Sequence, residues 1–267
     1  MWILCVEEAS DKVMEQQCIL EMRNIHKSFG GLKALDDVSL DLYCGEVLGL
    51  VGDNAAGKST LMKILTGFYH ADSGKIILDG KEVVIDSPKK SKRLGIEMVY
   101  QNLELCQNMN VYENLFLGRE MTIDRFFKFL KRRRMEEKAV EILHRLKIDI
   151  KEPRKRIDKL SGGQQQAVAI GKAISFNPKM LILDEPTANL ALKEIDKVLE
   201  LVVRLRDHGI PIIFISHRLD DVFNVSDRIF VLRGGKRVAV KKTSETNRDE
   251  IIRYMFIGAE EEVIKNR

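Results

Sequence analysis

The sequence predicts an α/β protein: a core with a mostly parallel sheet, an N-terminal antiparallel β subdomain and an inserted helical subdomain. Three patterns carry this expectation. Val38, Leu40 and Leu42 alternate with Ser39, Asp41 and Tyr43, the period of a half-buried strand. The runs MLIL and IIFI are short, continuous and apolar, as strands covered on both faces are. Met135, Ala139, Ile142, Leu143 and Leu146 recur at helical spacing among many charges.

In chain order, an extension over 1–18 precedes strand-like sequence from about residue 19. KIILDGKEV then predicts a hairpin, because Asp79 and Gly80 suit a tight turn between two strands. The texture turns helical after Gln101, which places a helical subdomain over 102–159 between two parts of one core, 19–101 and 160–267. Within that lobe FKFLKRRRM carries Lys128, Lys131, Arg132, Arg133 and Arg134. It is expected to be a solvated helix face with Phe126, Phe127 and Leu130 turned inward. Beyond the lobe, MLIL (180–183) and IIFI (212–215) flank the helical KEIDKVLELVVRLRDHG and so predict a parallel strand-helix-strand unit. A hairpin around Gly234 and Gly235 and a charged helix close the chain.

Composition excludes several classes. The 267 residues are 45% apolar, and 44 basic residues nearly match 40 acidic ones, so a net charge of +4 gives no field for a nucleic-acid partner. IPIIFI falls far short of the roughly 20 apolar residues that span a bilayer. MWILCVEEAS lacks the basic start and long apolar stretch of a signal peptide. Cys5, Cys18, Cys44 and Cys106 show neither CxxC spacing nor a histidine cluster, which fits reduced structural thiols rather than a disulfide or zinc framework.

The chemistry begins at GDNAAGKS. Gly52, four residues (Asp53, Asn54, Ala55, Ala56), then Gly57, Lys58 and Ser59 match GxxxxGK[ST] between an apolar strand and a helix, the setting of a phosphate loop. The fold class is therefore a P-loop nucleotide-hydrolase core. Backbone N–H groups from about Asn54 to Thr60 would cradle a phosphate at the helix N-terminus. Lys58 would reach the β- and γ-phosphates, and the Ser59 hydroxyl would ligate Mg²⁺. Asp184 and Glu185 end the strand MLIL at the carboxyl edge of the sheet. One can hold magnesium through its water shell while the next deprotonates an attacking water. In LSGGQQQ, Ser161 and Gln164 have capping-box spacing, so Ser161, Gly162, Gly163 and Gln164 read either as a capped helix start or as donors to a second phosphate.

Taken together, GDNAAGKST, Gln101 in MVYQN, LSGGQQQ, MLILDEPT and His217 in IFISHRLDD resemble the ordered motif set of an ABC transporter ATPase, over about 19–257. VYQNLEL, VYENLFLGRE and LSGGQQQAVAI look most like the ATPases of bacterial monosaccharide uptake, of ribose, xylose or fructose type. The resemblance implies ATP and Mg²⁺ as cofactors. It also implies a head-to-tail dimer, a homodimer when ATP is bound, in which Ser161, Gly162, Gly163 and Gln164 of one copy close over the ATP of the other. Phe29 matches the aromatic that stacks on adenine, Gln101 the residue that touches magnesium, Glu185 the catalytic base and His217 the contact to the γ-phosphate. Integral membrane permease subunits, and through them a sugar-binding protein, are the implied partners. The implied location is cytoplasmic, peripheral on the inner face of the cell membrane. A soluble single-domain relative, such as an iron-sulfur assembly ATPase, is the alternative. Two positions depart from the family: Ala191, where Asp or Gly is usual, and Ala55, where Gly is usual, so Ala55 is expected at a positive φ.

Overall fold

The structure, a computed structural model, describes residues 17–123 and 129–257. Period-two burial opens the chain. β1 (Cys18–Phe29) and β2 (Leu32–Tyr43) pair antiparallel, with Val38, Leu40 and Leu42 buried as the alternation requires. β3 (Val47–Val51), buried throughout, leads into α1 (Lys58–Leu65). β4 (Ser73–Leu78) and β5 (Lys81–Val83) form the expected hairpin. Asp79 at φ 49° and Gly80 at φ 72° are the two left-handed central residues whose twist matches that of the flanking strands.

α2 (Pro88–Arg93) and β6 (Ile96–Val99) precede the helical segment of α3 (Val111–Phe116), α4 (Arg132–Arg145) and α5 (Gly162–Ile174). The strand-helix-strand unit is β7 (Met180–Asp184), α6 (Leu192–Asp207) and β8 (Ile212–Ile215), and its strands pair in parallel. α7 (Leu219–Val225), the hairpin of β9 (Arg228–Arg233) and β10 (Lys236–Lys242), and α8 (Arg248–Phe256) follow.

Two sheets result. The first, in order β2-β1-β4-β5, is antiparallel; the second, β10-β9-β3-β8-β7-β6, is parallel except for β10. Alternate residues of the second sheet enter different cores. Leu48, Leu50, Ile182, Ile213 and Phe230 pack with the first sheet and α1. Val47, Leu181, Leu183, Ile212 and Phe214 pack with the helices on the other face. Two apolar faces explain why these strands read as unbroken apolar runs.

Met135, Ala139, Ile142, Leu143 and Leu146 are all buried, as their spacing in and after α4 predicts. The segment before them departs from expectation. Leu130 is not turned inward: it pairs with Thr122 across an isolated antiparallel bridge and is 44% exposed, with Phe129 and Ile123 exposed beside it. The helical period begins only at Arg132, too late to bring Leu130 onto the inner stripe of α4. Phe126, Phe127 and Lys128 lie outside the described residues, as does Cys5. Cys18 and Cys106 are half-buried free thiols, and Cys44 directs its Sγ at the carbonyl of Gly209, 3.8 Å away.

Phe214, fully buried in β8 at the middle of the parallel sheet, anchors the helix-side core. Phe214→Ala is expected to lower stability by about 3 to 5 kcal/mol in guanidinium chloride unfolding.

Candidate active site at the carboxyl edge of the sheet

The order β3-β8-β7-β6 sets four carboxyl ends side by side. The residues predicted for phosphate chemistry leave the sheet there: Gly52 after β3, His217 after β8, Asp184 and Glu185 at the end of β7, Gln101 after β6.

The phosphate loop is pressed from behind by its neighbours. A Cβ at Gly52 would lie 2.1 Å from the carbonyl of Leu232. One at Gly57, where φ is 106°, would lie 2.8 Å from that of Ala34. Both positions therefore demand glycine. Gly235 donates to the Ala56 carbonyl at 3.0 Å, so the β9–β10 turn also grips the loop. α1 starts at Lys58, and Ser59 and Thr60 sit in its first turn, where the helix dipole favours an anion. Lys58 Nζ donates to the carbonyls of Gly52 (2.7 Å) and Asp53 (3.0 Å), which holds the loop curled. Burial pushes the Lys58 ammonium pKa down, while Glu185, Asp53 and Asp184 pull it back up. Asp53, Asn54 and Ala55 are exposed. Ala55 has φ 64°, the left-handed conformation its replacement of glycine implied.

Asp184 ends β7 with its carboxyl pKa raised by burial and by the charge of Glu185, against the opposing pull of Lys58 and Lys63. Glu185 does not continue the pleat. It turns at φ 51°, and its N–H donates to the Ile215 carbonyl of β8 at 2.9 Å. Glu185 Oε2 is buried and lies 2.7 Å from Nδ1 of His217, whose ring is largely exposed. The structure thus joins the predicted base to the predicted γ-phosphate contact.

A clamp behind this pair was not legible in the sequence. The Thr187 hydroxyl, on the loop after β7, donates to Asp221 Oδ2 of α7 at 2.6 Å, both residues being buried. Arg218 Nε lies 3.3 Å from the same oxygen, and its N–H donates to Ser216 Oγ at 3.0 Å. The clamp ties the loop carrying Glu185 to the one carrying His217. Only the acidic pair Asp220 and Asp221, shortly after His217, hinted at it.

Phe29 ends β1, 42% exposed, and Tyr69 meets it edge-on at 5.1 Å with Lys27 Nζ 5.4 Å from its ring centre. Tyr69, which fixes the ring, was also missed. Ser161 and Gln164 lie elsewhere. Ser161 caps α5: its Oγ accepts from Gln164 N–H at 3.3 Å, and Gln164 Oε1 accepts from Ser161 N–H at 3.2 Å. Gln164 also donates to the Asp149 carbonyl at 2.9 Å. A Cβ at Gly163 would meet Glu194 Cβ at 2.8 Å, whereas one at Gly162 would meet only the movable end of the Leu190 side chain, at 2.9 Å. Among the described residues no hydrogen bond joins this turn to the phosphate loop. Ala191 precedes α6 with no side-chain oxygen to offer, so only Glu194 completes that cap, accepting from Ala191 N–H at 3.4 Å.

A parallel sheet with a phosphate loop, a strand-end carboxylate pair and a distant serine-glycine turn defines an ATP-binding cassette, and the chain belongs to the ABC transporter family, whose model matches residues 35–188. It is similar to "Xylose/arabinose import ATP-binding protein XylG" of Sulfolobus acidocaldarius, 44% identical over 89% of this chain and 93% of the relative. It is 43% identical to "Ribose import ATP-binding protein RbsA" of Geobacillus kaustophilus and to "Galactofuranose transporter ATP-binding protein YtfR" of Escherichia coli strain K12. Those matches cover 89% and 91% of this chain and 48% of each relative, so the chain spans about half the length of these two. Among solved structures, a nucleotide-free ATP-binding cassette from an ABC transporter superposes with TM-score 0.77 at 32% identity, over 90% of this chain and 95% of that one.

Two outcomes follow from the geometry. A left-handed alanine costs roughly 1 to 2 kcal/mol, so Ala55→Gly should tighten ATP binding by up to about tenfold in calorimetric titration. Thr187→Val leaves the Asp221 carboxylate short of a buried donor. It should lower stability by about 1 to 3 kcal/mol in thermal unfolding and reduce ATP turnover, since the Glu185 loop loses its tether.

Proposed function

We propose that this chain binds MgATP and hydrolyses it at the interface of a head-to-tail dimer, to power uptake of a sugar through a separate integral membrane permease. The observation that carries this reading is a separation. The phosphate loop and the Glu185–His217 pair share one sheet edge, whereas the Ser161 turn has its hydrogen bonds elsewhere, so each chain offers two unlike halves of a site.

In this reading adenine stacks on the exposed face of Phe29, which Tyr69 holds in place. Asn54 to Thr60 cradle the phosphates, and Lys58 exchanges the carbonyls of Gly52 and Asp53 for β- and γ-phosphate oxygens. Ser59, Gln101 and Asp184 offer hydroxyl, amide and carboxylate oxygens, the hard donor set that suits Mg²⁺. Burial together with the Glu185 charge raises the Asp184 carboxyl pKa against the pull of Lys58 and Lys63, so a further cation would favour its charged form. Magnesium, when bound, supplies neutralisation of phosphate charge.

Glu185 takes a proton from the water that attacks the γ-phosphorus; the bond to the bridging oxygen breaks, releasing ADP and phosphate. His217 positions Glu185 through Oε2 and presents its exposed ring edge toward the γ-phosphate. Ser161, Gly162, Gly163 and Gln164 of the second copy close over the same ATP. In this reading the cleft beyond Gln101, lined by Tyr100, Leu103, Arg119 and Phe176, receives the permease, which would hold the protein at the inner face of the membrane. Among the described residues no helix is long and apolar enough to cross a membrane. The relatives' names as sugar importers support the transport reading over the iron-sulfur one.

Glu185→Gln should keep ATP binding while turnover falls by about 10² to 10⁴, and should accumulate an ATP-bound dimer on size-exclusion chromatography. Wild-type turnover in that variant would remove Glu185 as the base. Copurification with a permease, and stimulation by a sugar-loaded binding protein, test the transport role.

A further inference from the structure

We propose that the pocket between α5 and α6, behind the Ser161 turn, is a second ligand site that takes a small organic anion with an apolar body. It encloses about 450 Å³, within the range of small-molecule sites. Ile148, Ala167, Val198 and Leu201 give it an apolar floor, with Val198 and Leu201 themselves buried. Lys193, Lys197 and Leu201 recur every fourth residue along α6, so the helix presents two ammonium groups above that floor.

Charge decides the ligand class. Four cations line the pocket, and of these only Arg204 has a carboxylate partner among the described residues, Glu200 at 3.6 Å. Among the described residues Lys147, Lys193 and Lys197 have none within ion-pair distance, though the Lys197 charge acts on Glu194. On the acidic side, Glu194 accepts from the Ala191 N–H at 3.4 Å, and Ser161, Gly163, Ala191 and the Lys197 charge hold its carboxyl pKa down, so it stays ionised. Glu200 faces Arg204, and Asp149 has no ion-pair partner among the described residues. Four cations thus face three carboxylates, a surplus of one positive charge, and Lys147 and Lys193 have no ion-pair partner among the described residues, which favours a sulfonate, phosphate or carboxylate head. No residue of the phosphate loop contributes to the lining.

Ser161, Gly163 and Gln164 form one wall, so an occupant touches the turn that caps α5.

The test titrates the full chain with 8-anilinonaphthalene-1-sulfonate, followed by fluorescence, alongside N-phenyl-1-naphthylamine, the same body without the sulfonate. The sulfonate should bind saturably at one site, about tenfold or more tighter than the neutral compound. The double variant Lys193→Glu, Lys197→Glu should lose about tenfold or more of that affinity, and Ala167→Phe, which fills the pocket without changing charge, should abolish binding; circular dichroism melts verify that each is folded. Lys58→Ala should bind as wild type does. Equal affinity for the two naphthyl compounds, wild-type affinity in the charge-reversed protein, or loss of binding in Lys58→Ala would each overturn the proposal. Intact sulfonate binding by a wild-type protein without ATP turnover would leave the pocket standing and remove the hydrolysis reading instead.

Discussion

Burial of a parallel sheet on both faces is the constraint on which the rest of this structure depends. Backbone amides in a dry interior must pair, and parallel pairing needs a crossover for every strand, so the connections are long and the strand ends gather along one edge. The antiparallel sheet and α1 cover one face and the helices the other. With both faces occupied, the carboxyl edge is where the chain can expose polar groups, and phosphate loop, carboxylates and histidine emerge there together. An ion-pair cluster also ties the two sheets: Arg228 of β9 meets Asp41 of β2 at 2.8 Å and Glu46, just before β3, at 3.1 Å. Glu46 is buried, which raises its carboxyl pKa against the pull of Arg228, so that guanidinium compensates a charge otherwise costly in the core.

Two of the non-glycine residues at positive φ lie at the same edge. Ala55 and Glu185 both hold left-handed φ without being glycine, a conformation that persists only where surrounding contacts over-determine it. For Glu185 those contacts are visible: the backbone bond to Ile215, the His217 pair and the Thr187–Asp221 clamp. For Ala55 the neighbouring loop is gripped at Gly52, Ala56 and Gly57, but its own methyl is exposed, and nothing in the structure offsets its strain. The two residues are therefore strained for different reasons. Glu185 gains an aimed carboxylate from its turn, whereas at Ala55 a glycine would serve the loop better.

Much of the architecture was legible because it follows from periodicity and local chemistry. Alternation over 38–43, the Asp79–Gly80 turn, the α4 stripe and the buried runs 180–183 and 212–215 all formed as read. Leu130 did not, because a hairpin bridge to Thr122 took the place of the helix turn that periodicity alone suggested. The capping-box spacing of Ser161 and Gln164 was realised, yet a cap says nothing of what else the turn faces.

By itself, then, the sequence determined the elements and their turns, since each depends on interactions within a few residues. The phosphate-loop glycines were legible as a motif, but what forbids a Cβ at Gly52 and Gly57 is the carbonyls of Leu232 and Ala34, distant in the chain. Tertiary structure alone decided what lies 34 residues apart, such as Thr187 against Asp221, or 32 apart, such as Glu185 against His217. Strand order brings those loops together, and strand order is set by crossovers and layer packing, which leave no mark in local spacing.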